Sequence, residues 1–123
     1  MAVPREPITD AELDVLKLLW GGAPLTAREL TEQLYGEPTA ATIGTVQKLL
    51  QRLEAKNCVR RDRRRYVHRF TAKVSQTDVA GRQLELLARK VADGSLAPFI
   101  THLVQARRLS EDEKAQIRRL LEE

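Results

Sequence analysis

Apolar residues recur along this chain at two different spacings, and the change of spacing divides it. In "TDAELDVLKLLW" Leu13, Leu16, Leu19 and Trp20 fall three or four apart, and Thr9 stands three before Glu12, the signature of a capping box. A helix is expected from about residue 10 to 20, ended by "GGAP", because two glycines and a proline do not continue one. "LTARELTEQLYG" repeats the signature with Thr26 and Glu29, carries apolar Leu30 and Leu34, and stops at Gly36. Next, "AATIGTVQKLLQRLEAKN" sets Ile43, Val46, Leu49, Leu50 and Leu53 in one stripe, which predicts a longer helix over about 40–56. Its opposite face holds Ala41, Gly44, Thr45, Lys48, Gln51 and Arg52 and no acid.

Then the period drops to two. In "RYVHRF" Tyr66, His68 and Phe70 alternate with Arg65, Val67 and Arg69, which reads as a strand, and "CVRR" is long enough to be its partner. Asp62 to Arg64 is the expected turn, and the hairpin spans about 58–71. Helix, short helix, longer helix and basic hairpin is the order of a winged helix-turn-helix, here assigned to residues 1–74. The rest returns to helical spacing. Ser75 with Asp78 resembles a cap; Ala80, Leu84, Leu87, Ala88 and Val91 line one face, with Val79 and Leu86 on a second. Leu96, Phe99, Ile100, Leu103 and Val104 make another amphipathic helix, and Ser110 with Glu113 caps a third carrying Ile117, Leu120 and Leu121. The fold class is therefore mainly α with a small β-hairpin wing: an N-terminal winged helix-turn-helix domain, then a three-helix dimerisation region over 75–123. Three short helices bury little area alone, and a second apolar face would stay wet in a monomer. A symmetric homodimer covers both, and Leu84, Leu87, Val91, Phe99 and Leu103 are the expected interface residues.

Charge sharpens the picture more than composition does. With 42% apolar and 31% charged residues the 123-residue chain is ordinary globular material. Its formal net charge is only +4, but residues 39–73 hold ten basic side chains against two acidic ones. That segment carries +8 and the remainder −4, a polarity suited to a polyanion: nucleic acid first, an anionic membrane surface second. One cysteine, Cys58, excludes an internal disulfide framework, and with only His68 and His102 beside it no metal-ligand spacing exists. Neither a cofactor nor a metal is expected. The opening "MAVPREP" lacks a signal-peptide apolar run, and no segment has the length of a membrane span, so a cytoplasmic protein is expected. No phosphate loop, paired-carboxylate set or nucleophile elbow occurs, and no catalysis is assigned.

A helix-turn-helix places the N-terminal half of its second helix in the major groove. Thr42, Thr45, Gln47 and Lys48 have the reach to meet base edges there, and Arg52 continues the same face. Thr42 lies at the core edge of the wheel, so a structural role stands beside base contact. Gly44 costs about 1 kcal/mol relative to Ala in mid-helix; close approach to DNA and a tight helix crossing both account for it. In the hairpin Arg61, Arg63, Arg64 and Arg65 are expected to meet phosphates or enter the minor groove. A charged edge strand that blocks aggregation is the plainer reading. Arg28, in the first turn of the second helix, is a further candidate for backbone contact.

The run "TDAELDVLKLLW", "PLTARELTEQL", "TVQKLLQRLEAKNCVRR", then "GSLAPFITHLV" and "LSEDEKAQIRRLLEE", resembles the BlaI/MecI/CopY family of bacterial penicillinase-type repressors. The match covers nearly the whole chain, and the order of motifs carries it more than any single one. The resemblance implies a winged-helix domain, a helical dimerisation region, and a dimer that represses transcription from a palindromic operator. It also places Thr45, Gln47 and Lys48 on the recognition helix. Several members are released when a membrane-bound sensor protease cuts the dimerisation region, commonly at an Asn-Phe bond. Here the aligned pair is His102 and Leu103, a departure that counts against induction by that cut. The copper-responsive branch has a C-terminal cysteine motif, and no cysteine follows Cys58. Two other functions fit the residues without the resemblance: a winged-helix module that docks an acidic protein, and a non-specific nucleoid binder.

Overall fold

A computed structural model describes residues 6–123; most of the opening "MAVPREP" lies outside them. The N-terminal helices start where their caps dictate. In α1 (Asp10–Leu19) Thr9 Oγ1 accepts the Glu12 N–H at 3.2 Å while Glu12 Oε1 accepts the Thr9 N–H at 2.9 Å, which satisfies two otherwise orphaned donors. Thr26 and Glu29 repeat the box at α2 (Ala27–Tyr35), and Gly36 ends that helix at φ 82°, a conformation glycine takes without a Cβ clash. The third helix, α3 (Ala40–Ala55), has a box the sequence does not advertise, with Thr42 in the place of the usual glutamate opposite Thr39.

The stripes converge. Val15, Leu16, Leu30, Val46, Leu50 and Leu53 are fully buried and form the centre of one aliphatic core. Cys58 joins it as a small apolar side chain, and burial pushes its thiol pKa up. Trp20 caps α1 and donates its indole N–H to the Val74 carbonyl at 2.8 Å.

The wing differs from the expected hairpin. Its strands are β2 (Val59–Asp62) and β3 (Arg69–Ala72), antiparallel with Asp62 opposite Arg69, so residues 63–68 form a loop. Asp62 is the end of a strand and not the start of a two-sided turn, and Tyr66 and His68 belong to the loop despite their alternation. The reason is pairing: a period-two pattern makes a strand only where a neighbour supplies hydrogen bonds, and β2 has none to give beyond Asp62. A third strand, β1 (Leu25–Thr26), joins the other edge of β3 and gives the order β1-β3-β2. It was hidden because an N-cap residue is already extended, as Thr26 is at φ −82°, ψ 163°, and so serves both elements.

Compact units divide at Gln83 and Leu84, inside α4 (Gln76–Ala92). Ser75 Oγ accepts the Asp78 N–H at 3.0 Å near the start of that helix, and Val79 belongs to the N-terminal core. The second unit contains the rest of α4, α5 (Ala97–Gln105) and α6 (Glu111–Leu121), the last with a Ser110/Glu113 capping box. Neither α5 nor α6 has a buried residue. No helix among the described residues is long and apolar enough to cross a membrane.

Candidate nucleic-acid interface

Burying Val46, Leu49, Leu50 and Leu53 fixes the rotation of α3 and turns Ala41, Thr45, Gln47, Lys48, Gln51 and Arg52 outward. Lys48 and Arg52 have no carboxylate partner among the described residues, so their charge is available to an external anion. Thr45 donates its hydroxyl to the Ala41 carbonyl at 3.1 Å, which leaves its methyl as the group a partner would meet. Thr42 is different. Its hydroxyl oxygen accepts the Thr39 N–H at 2.9 Å and lies 3.2 Å from the Thr39 carbonyl, so the cap already occupies it. Gly44 has open space where a Cβ would stand: apart from its chain neighbours and its own helix backbone, no described residue comes within 4 Å. A tight helix crossing within this chain therefore does not explain it.

The wing is braced from inside. Glu54, on the last turn of α3, accepts from Arg61 Nε at 3.1 Å and Nη2 at 2.5 Å, and Arg63 Nη2 lies 3.7 Å from its other oxygen. The Arg61 guanidinium also lies over the Phe70 ring, 4.9 Å from the centroid. Arg61 is thus a strut between α3 and the sheet, with a side chain only 22% exposed. Arg63 and Arg64 project at 65% and 89%. Asp62 accepts the Arg64 backbone N–H at 3.0 Å and its Nε and Nη2 at 3.0 and 2.9 Å, which shapes the loop's first turn. Those bonds hold the Asp62 carboxyl well below the usual carboxylate range. Arg65 is exposed and takes no carboxylate partner among the described residues. Arg28 is exposed beside Glu32 at 3.4 Å, a distance worth little in water.

Helix and wing enclose a cleft of about 660 Å³, lined by Arg28, Ile43, Gln47, Gln51, Arg61, Tyr66, Val67, His68 and Phe70 among others. An acid-free helix face beside a basic loop is a surface for a polyanion.

Residues 8–123 match the family model described as penicillinase repressor. The chain belongs to the penicillinase repressor family. Relatives agree along their length. The transcriptional regulator BlaI of Mycobacterium tuberculosis (strain H37Rv) is 34% identical over 116 residues, 93% of this chain and 82% of that protein. The penicillinase repressor of Staphylococcus aureus is 23% identical over 98% of this chain and 95% of its own, and that of Bacillus licheniformis 24% over 94% and 90%. The family assignment agrees with the resemblance read from the motifs.

For a penicillinase repressor family member, the sequence-level candidates other than Arg28, which stands exposed on α2, fall into three places. Thr45, Gln47, Lys48 and Arg52 share the exposed face of α3; Arg63, Arg64 and Arg65 share the wing loop; Thr42 and Arg61 are engaged in holding these elements. Gln51 and the Tyr66–Val67 pair also line the cleft and were not among the candidates. Gln51 was legible on the helical wheel, whereas Tyr66 was masked by an alternation that suggested a strand. In the second unit Leu84, Val91, Phe99 and Leu103 line a shallow apolar groove of about 560 Å³, with His102 at its edge. Leu87, at 45% exposure, lies outside that lining.

Proposed function

We propose that this chain is a DNA-binding transcriptional repressor that acts as a homodimer on an inverted-repeat operator. The observation that carries the reading is the acid-free face of α3 beside three exposed wing arginines, in a member of this family. Lys48, Gln47 and the Thr45 methyl meet base edges in the major groove, and Arg52 the flanking backbone. Arg63, Arg64 and Arg65 grip phosphates, with Arg28 on the α2 side of the same strand. Arg61 keeps wing and helix in register, and Thr42 fixes the first turn of the reading helix. Leu84, Leu87, Val91, Phe99 and Leu103 join two copies, which sets the half-site spacing. Release by a sensor protease at His102–Leu103 would require α5 to unwind locally, since both residues lie inside the helix.

Selection from fragmented genomic DNA, followed by titration of the recovered duplex, tests this. Enrichment of one palindrome is expected. If the pair neutralises about 6–10 phosphates, affinity falls by roughly three to five decades between 50 and 200 mM salt. Binding without enrichment would mean a non-specific nucleoid binder. No salt-dependent binding at all would mean a module for a protein partner.

A further inference from the structure

DNA's sugar-phosphate strand is the ridge between its two grooves. A protein with a helix in the major groove and a loop against the neighbouring minor groove must straddle that ridge. The cleft between α3 and the wing loop lies between the two elements, where such a strand would pass. Gln47 and Gln51 form its helix wall, Tyr66 and Val67 its wing wall, and Arg28 stands on the α2 side.

Tyr66 is fully exposed, at 101%, and its neighbour Val67 is 54% exposed. Neither belongs to the core. Arginines alone would serve phosphate grip or edge protection, and neither task calls for an aromatic among them. An apolar pair set beside cations matches a surface that is apolar and anionic by turns. The deoxyribose faces between successive phosphates have that chemistry.

We propose that the cleft takes one sugar-phosphate strand and that Tyr66, supported by Val67, packs its ring on the deoxyribose of that strand. The proposal rests on the DNA-binding reading above and adds to it a contact residue that is not electrostatic. Ring-on-sugar packing releases no counter-ions. Loss of Tyr66 therefore lowers affinity without changing the slope of log K against log salt, the reverse of losing an arginine.

The experiment is a fluorescence anisotropy titration of the full chain against a duplex recovered from genomic DNA, at several salt concentrations from 50 to 200 mM. Tyr66→Ala should bind about tenfold more weakly per wing, as expected for half-burying an aromatic ring. Its salt slope and its thermal unfolding should match the unchanged chain. Tyr66→Phe keeps the ring and should restore binding to within about twofold, a difference of only about 0.4 kcal/mol. Unchanged affinity in Tyr66→Ala overturns the proposal and leaves the DNA-binding reading standing. A shallower slope overturns it by making the loss electrostatic, and failure of Tyr66→Phe overturns it by assigning the contact to the hydroxyl. If the unchanged chain binds no duplex, both readings fall together.

Discussion

The two units of this chain treat the same kind of helix face in opposite ways. In the first, Val46, Leu50 and Leu53 of α3 are sealed against α1, α2 and the sheet. In the second, Leu87, Ile100, Val104 and Leu120 have the same spacing and chemistry yet remain 45–60% exposed. Periodicity thus identifies which face of a helix is apolar and says nothing about what covers it. In the N-terminal unit the cover comes from the same chain; in the C-terminal unit the described residues bury Ala88 but leave these four about half uncovered.

The largest expected effect separates these cases directly. Leu50→Ala removes side-chain atoms that the core encloses completely, and should lower the stability of the N-terminal unit by about 2–5 kcal/mol in a denaturant titration. Leu87→Glu should leave that unit's unfolding unchanged and convert a dimer to monomers in sedimentation velocity. A dimer that survives Leu87→Glu would show that the exposed faces of the second unit are covered in some other way, and the comparison would have to be redrawn.

Much of this contrast was legible beforehand. Of the four capping boxes seen among the described residues, three were readable because Thr9/Glu12, Thr26/Glu29 and Ser110/Glu113 follow the usual spacing; the Thr39/Thr42 box was not, since threonine replaces the carboxylate. Tyr66 misled, because alternation reports side-chain polarity while strand formation depends on available backbone partners. Arg61, Arg63 and Arg64 read alike as letters in one basic run. What separates them is the position of Glu54 seven residues before Arg61 and of Asp62 at the strand end just before the loop, which only folding reveals.

A second prediction compares two boxes with the same sequence signature. Glu12 is fully buried and takes the Lys56 ammonium at 2.6 Å, whereas Glu113 is exposed at the start of α6. Burial pushes the Glu12 pKa up, but the hydrogen bonds from Lys56 and Thr9 outweigh it and bring it below the ordinary value near 4.5. Hydrogen bonding from Ser110 lowers that of Glu113 as well. A carboxylate lowered on folding contributes stability above its unfolded pKa and loses it as pH falls through the native one. Glu12→Gln should therefore cost about 1.5–3 kcal/mol at neutral pH, the worth of a charge-assisted hydrogen bond, and the gap to the unchanged chain should begin to narrow as pH falls below the unfolded value of about 4.3, closing only below the lowered native pKa. Glu113→Gln should show a pH-dependent difference of the same sign but smaller, because solvent screens the exposed carboxylate. Equal effects from both would mean that burial does not set the value of a capping carboxylate here.

The smallest expected effect bears on the outward face of α3. Beyond its chain neighbours and its own helix backbone, a Cβ on Gly44 meets no described residue within 4 Å, so Gly44→Ala adds no clash and removes the entropic cost of glycine in mid-helix. Stability should rise by about 1 kcal/mol, read as a higher denaturation midpoint at unchanged m-value. If α3 approaches DNA closely at that point, the same methyl should weaken operator binding. Opposite signs for stability and affinity would identify Gly44 as a residue kept for the complex at the expense of the free chain. A gain in stability with unchanged affinity would remove it from the interface and leave Thr45, Gln47 and Lys48 to read the operator alone.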